Sequence, residues 1–142
     1  MSGLSGFGAA LERSDMATIP VFTEVANVTN LGGPKLSRST TDVTAHDSPD
    51  AYMEFIGSLK DGGEVSMDIN WDPRETTHAN LLADFEDTVP RDWQLSIPLP
   101  TGTADWAFTA IMTGFDPSYP TDGKIEASVS FKVTGKPVLT VV

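Results

Sequence analysis

Glu64-Val65-Ser66-Met67-Asp68-Ile69-Asn70-Trp71 is the stretch on which the reading of this chain turns. Val65, Met67, Ile69 and Trp71 alternate with Glu64, Ser66, Asp68 and Asn70 without slipping out of step. Successive strand side chains point to opposite faces, so this strand has one greasy face and one polar, acidic face. A period of 3.6 would spread the same apolar residues around a helix, which excludes that alternative. What the polar face meets is the question the remaining sequence has to answer.

Other segments repeat the pattern. Trp93, Leu95, Ile97 and Leu99 alternate with Gln94, Ser96 and Pro98. Lys124 to Val133 sets Ile125, Ala127, Val129, Phe131 and Val133 against Lys124, Glu126, Ser128, Ser130 and Lys132. Trp106 to Phe115 is apolar on both sides and reads as a central strand, joined to its predecessor by a turn at Thr101-Gly102-Thr103. Gly135-Lys136-Pro137 bends the chain before a last short strand, Val138 to Val142. Ile19 to Val28 reads as one strand covered on both faces, broken by Asn30-Leu31-Gly32-Gly33-Pro34.

Two helices are expected. Asp72-Pro73-Arg74-Glu75 has the form of a helix start, followed by an apolar stripe of His78, Leu81, Leu82 and Phe85. Tyr52, Phe55, Ile56 and Leu59 have the same spacing and predict a shorter amphipathic helix over Ala51 to Leu59. Before it, Lys35 to Asp50 is a long polar connection, and loops of that length are functional or disordered. Residues 1–17 are small and aperiodic, an arm ordered only by contact. The expected fold is mainly β: one domain over residues 1–142, an antiparallel β-sandwich or open barrel with one flanking helix, an arm at 1–17 and a long assembly loop at 32–62.

Composition narrows the function. The formal charge is −11, against the basic patches that grip nucleic acid phosphates. Residues 42–87 hold twelve acids against Lys60 and Arg74, whereas the last twenty residues carry Lys124, Lys132 and Lys136 against Glu126. Such a chain can meet copies of itself head to tail. With no cysteine there is no disulfide or thiolate chemistry. No apolar run reaches the roughly 20 residues of a membrane span, and no signal peptide opens the chain. His78 belongs to the helix stripe and reads as packing. His46 lies beside Asp42, Asp47 and Asp50, but no HxH or HExxH spacing supports a metal site. Gly32-Gly33 and Gly62-Gly63 are turns, not phosphate loops. No catalytic, cofactor-binding or metal-ligating set is expected.

The segment NVTNLGGPKLSRSTTDVTAHDSPDAYMEFIGSLKDGGEVSMDINWDP, Asn27 to Pro73, resembles the major tail tube proteins of long-tailed, non-contractile bacteriophages. The GFGAAL run near the start and the VTGKP ending at Val133 to Pro137 fit the same family. The resemblance implies a non-enzymatic virion protein, made in the bacterial host cytoplasm, that assembles in rings of six. The rings stack into a tube through which DNA passes without specific binding. Further implied partners are tape measure, tail tip or initiator, and tail terminator proteins, with no membrane insertion. It places Glu64, Ser66, Asp68 and Asn70 as channel-lining candidates, and Tyr52, Phe55, Ile56 and Leu59 as subunit or ring contacts. Tubes of gene transfer agents and type VI secretion are close relatives. A monomeric β-sandwich module binding carbohydrate is the alternative, with Trp71, Trp93 or Trp106 as its platform, although their phase puts all three toward the core.

Overall fold

The computed structural model describes Leu4 and residues 6–141. Nine strands and one α-helix follow in the order β1 (Ala10–Ser14), β2 (Phe22–Glu24), β3 (Val28–Gly32), β4 (Ser37–Asp42), β5 (Phe55–Asp61), β6 (Glu64–Asn70), α1 (Thr76–Glu86), β7 (Arg91–Leu99), β8 (Gly102–Ser118) and β9 (Glu126–Val141). Seven strands form one antiparallel sheet in the order β2-β1-β7-β8-β9-β6-β3, while β4 and β5 form a separate hairpin.

The two long strands carry the architecture. The early part of β8, Gly102 to Ala110, pairs with β7, and its later part, Gly114 to Ser118, pairs with the start of β9. Register shifts between Ala107 and Thr109 and between Met112 and Gly114 bend the sheet at that crossing, as bulges do at corners. The two halves fold onto each other until β1 meets β3, producing an open barrel. Leu11, Val65, Met67, Ile69, Trp93, Phe108, Val129 and Phe131 fill it and are all buried. Apart from Leu11 and Phe108 these are the inward residues of the alternations, and burying each contributes about 1.5–3 kcal/mol.

The helix closes one side of the barrel in a phase the sequence does not suggest. His78, Leu81 and Asp84 are buried, whereas Leu82 and Phe85 of the expected stripe are about half exposed. A carboxylate has displaced a greasy side chain because two guanidinium groups wait for it. Asp84 accepts from Arg13 Nε at 2.6 Å and Nη2 at 2.7 Å, and Arg91 Nε lies 3.0 Å away. His78 is the packed residue the sequence suggests: its Nδ1 accepts the Asp72 N–H at 3.0 Å and its Nε2 faces Ala26 O at 2.5 Å. The helix begins a turn later than Asp72-Pro73. There Glu75 N–H bonds Asp72 O at 3.0 Å, and Asp72 Oδ1 accepts the Arg74 N–H.

Three further expectations are corrected. Residues 10–14 of the arm form β1, an internal strand paired with both β2 and β7. Leu11 lies in the core, and one deeply buried side chain is enough to fix so short a segment. Residues 1–3 and 5 of that arm, and Val142 of the last strand, lie outside the described residues. Ile19 to Val28 is not one strand. Asn27 takes φ 59°, a left-handed conformation that Asn tolerates, and splits it into β2 and β3. Of the break expected at Asn30 to Pro34, residues 30–32 belong to β3 itself, and the chain leaves the strand only at Gly33-Pro34. Finally, Tyr52, Phe55, Ile56 and Leu59 are not on a helix. Phe55–Asp61 is strand β5, paired with Ser37–Asp42 across what reads as a polar connection. Gly57 within that segment weakens a helix, and the Ser/Thr-rich partner strand supplies hydrogen bonds that no local pattern reveals.

Candidate functional site

The polar side of β6 does not stand alone. Its residues extend in register across neighbouring strands on the surface facing away from the core. Gly32, Ser66, Ser130 and Gly114 form one row over β3, β6, β9 and β8. Asn30, Asp68, Ser128 and Asp116 form the next. Asn70, Glu126 and Ser118 follow, and Glu64 faces Lys132 at the other end.

The first row is nearly bare of side chains. A Cβ at Gly114 would stand 2.7 Å from Ser130 Oγ, so no larger residue fits there without displacing its neighbour. The second row is acidic and tied down: Ser128 Oγ donates to Asp68 Oδ1 at 3.0 Å, and Asn30 Nδ2 reaches Oδ2 at 3.5 Å. Asp68, Asp116, Glu126 and Glu64 stand against two lysines, Lys124 paired with Glu126 at 3.5 Å and Lys132 turned toward Asp61 at 3.0 Å. The surface is thus flat, polar and negative. Of the four candidates on β6, Glu64 and Ser66 are exposed and Asp68 and Asn70 half-buried. The Asn70 Oδ1 atom is buried without a hydrogen-bond partner.

The second surface is the β4–β5 hairpin, whose strand residues are all exposed. Leu59 is 83% and Tyr52 74% exposed, and Phe55, Ile56, Met53, Leu36 and Val43 are also open. A monomer rarely leaves so many large apolar side chains on one projecting element. Its root is well anchored. Gly63 takes φ 74° with Lys35 O in the space a Cβ would occupy, so only glycine serves there. The Gly63 N–H and then Lys132 hold the Asp61 carboxyl below the usual carboxylate range.

None of the three tryptophans offered to carbohydrate stands fully exposed. Trp93 is buried, and Trp71 and Trp106 pack against the core. Among the described residues no three His, Asp or Glu side chains converge to hold a metal ion, and no helix is long and apolar enough to cross a membrane.

The family model of the lambda phage tail tube protein, TTP, matches residues 11–140. The chain belongs to this tail tube family. Membership implies a structural part of the virion rather than a catalyst. No curated protein matches the chain in sequence. Solved structures do match in fold. One is the tail of an empty gene transfer agent particle with C6 symmetry, at TM-score 0.77 and 18% identity over 97% of this chain and 99% of that one. The SPP1 tail tube aligns at TM-score 0.68 and 9% identity, over 94% and 76% of the two chains. A sheath–tube complex of an extracellular contractile injection system gives 0.67 and 10%, over 94% and 88%. The tail tube fold therefore persists where little sequence is shared. Sequence reasoning reached β6 because its alternation is complete. It missed Arg13, Asp84 and Arg91, although Arg91 two residues before Trp93 shares the inward phase of that core residue.

Proposed function

We propose that copies of this chain close into rings of six that stack into a tail tube, with the polar surface centred on Glu64, Ser66, Asp68 and Asn70 lining the channel for DNA. The observation that carries this reading is the in-register row of Gly32, Ser66, Ser130 and Gly114 beside the acids Asp68, Asp116 and Glu126. A duplex must slide past such a wall without being held, and small side chains and negative charge both discourage phosphate contacts.

Sheet continuation supplies the route to a ring. Val138 to Val141 pairs on one side with β8, while β6 runs alongside only the earlier part of β9. Open edges of this kind are templates for strands of another copy. The hairpin is the second contact element, with Tyr52, Phe55, Ile56 and Leu59 covered by neighbouring copies. Tape measure, tail tip or initiator, and terminator proteins are the partners this role requires, the first inside the tube and the others at its ends.

Negative-stain microscopy of the concentrated full chain, with and without purified tail tips as seeds, tests the reading. Rings or hollow tubes are the expected result. Compact monomers under both conditions would reject it.

A further inference from the structure

Among the described strand pairings, two set like charges directly opposite each other, one of each sign. Glu12 of β1 faces Glu24 of β2, and Arg38 of β4 faces Lys60 of β5. Directly opposed like charges destabilise a sheet, and a chain with twenty acids could readily have neutralised the basic pair. It does not. Arg13 and Arg91 are engaged by Asp84, Arg74 by Asp72, Lys124 by Glu126 and Lys132 by Asp61. Arg38 and Lys60, together with Lys136 across the same cleft, form no ion pair among the described residues. That cleft, of about 740 Å³, lies between the hairpin root and the bend of β9.

The acidic pair is equally unrelieved. Asp105 of β8 adds to it from the same surface, and Glu12 is held above the ordinary carboxylate range by burial, then by Asp105 and Glu24. The hairpin makes its main contact with the barrel at β9, and no ion pair among the described residues joins the two clusters within one copy.

We infer that the cleft lined by Arg38, Lys60 and Lys136 docks on the Glu12, Glu24 and Asp105 surface of a second copy of this chain. Charge complementarity selects the occupant: the cleft's one acid, Asp61, is taken by Lys132, which leaves three bases without an ion pair to meet three acids. The contact joins different surfaces of the two copies, so every copy keeps one free donor surface and one free acceptor surface. Such a heterologous contact propagates into a ring or filament instead of ending at a dimer. The inference rests on the tube reading above and names the surfaces by which copies recognise each other.

It also predicts opposite effects on the monomer and the polymer. Removing either repelling pair relieves the isolated chain and deprives the assembly of its partner charge. Glu12→Gln with Glu24→Gln should raise the monomer melting temperature by about 1–4 °C. The same pair should raise the protein concentration needed for assembly by about fivefold or more. Lys60→Gln should act in the same directions.

The decisive experiment uses full-length chains with reversed charges, assembled on seeds and followed by sedimentation. Glu12→Lys with Glu24→Lys, and Arg38→Glu with Lys60→Glu, are each expected to fail alone. Mixed together, or combined in one chain, they are expected to assemble within about threefold of the wild-type concentration. Either reversal assembling like wild type would overturn the contact and leave the tube reading intact. Failure of the mixture and of the combined chain, with both variants folded by circular dichroism, would overturn it as well. Tight binding of a labelled DNA duplex by the wild type, lost on Arg38→Glu with Lys60→Glu, would assign the cleft to nucleic acid instead. A wild-type chain that forms no polymer on seeds would reject the tube reading and this contact with it.

Discussion

Asp84 joins the helix to the barrel. Its two oxygens take both Arg13 nitrogens, with Arg91 alongside, and Arg91 Nη1 donates to Ser14 O at 2.8 Å. Removing the carboxylate leaves two guanidinium groups with little water to receive them, and breaking a buried pair in this way costs about 3–5 kcal/mol. Asp84→Ala should therefore lower the urea midpoint of the monomer sharply. A loss under about 1 kcal/mol would show that water replaces the carboxylate. Glu12 offers a test of opposite sign. Its carboxyl is raised above the ordinary 4.5 by burial and by repulsion. A raised acid holds its proton more tightly folded than unfolded, so its effect on stability becomes less favourable as pH climbs from the ordinary value through the raised one. Glu12→Gln should thus be more stable than the parent at pH 7, and the difference should shrink as pH falls toward 4.5, read by thermal melts across that range. The Arg13–Asp84 pairing was only half legible in the sequence. The alternation from Trp93 extends inward to Arg91, and an inward arginine demands a carboxylate, but Leu11 sits in an aperiodic arm that gives Arg13 no phase. What the sequence lacked was a means of choosing Asp84 among twenty acids.

At the scale of elements, legibility follows burial. β6, β7 and the early part of β9 each bury one face against the core, and alternation records that directly. β4 and β5 bury nothing within the chain. Nothing constrains their pattern to period two, and the i, i+3, i+4, i+7 spacing from Tyr52 to Leu59 is left to mimic a helix. An element whose sequence misleads because it buries nothing in its own chain is the one to test for a role in assembly. Replacing Leu36 to Gly62 by a short Gly-Ser link is geometrically mild, since Lys35 O already packs against Gly63. The shortened chain should keep the circular dichroism spectrum of the barrel and melt within a few degrees of the parent, yet form no tubes in sedimentation or microscopy. Tubes from the shortened chain would remove the hairpin from assembly.

For the whole molecule, the charge of −11 takes its meaning from where it lies. Asp68, Asp116 and Glu126 occupy one flat surface of a chain that belongs to a tail tube family, and a ring of copies would repeat that surface around a channel. Asp68→Lys tests the direction this surface faces. The side chain is half-buried and hydrogen-bonded to Ser128, so the substitution removes that bond, but no core residue moves and the fold should lose no more than about 1 kcal/mol. Tubes should assemble with normal dimensions. Each ring would then present lysines where the parent presents carboxylates, and passing phosphates would be held by contacts whose strength falls steeply with salt. Particles built with the variant should release DNA at least about tenfold more slowly than the parent at low ionic strength, and recover most of that loss near 0.5 M salt. Slow release with no salt dependence would point to distorted tubes rather than an electrostatic brake. Parental release at low salt, from particles shown to contain the variant, would place the polar surface of β6 on the outside of the tube.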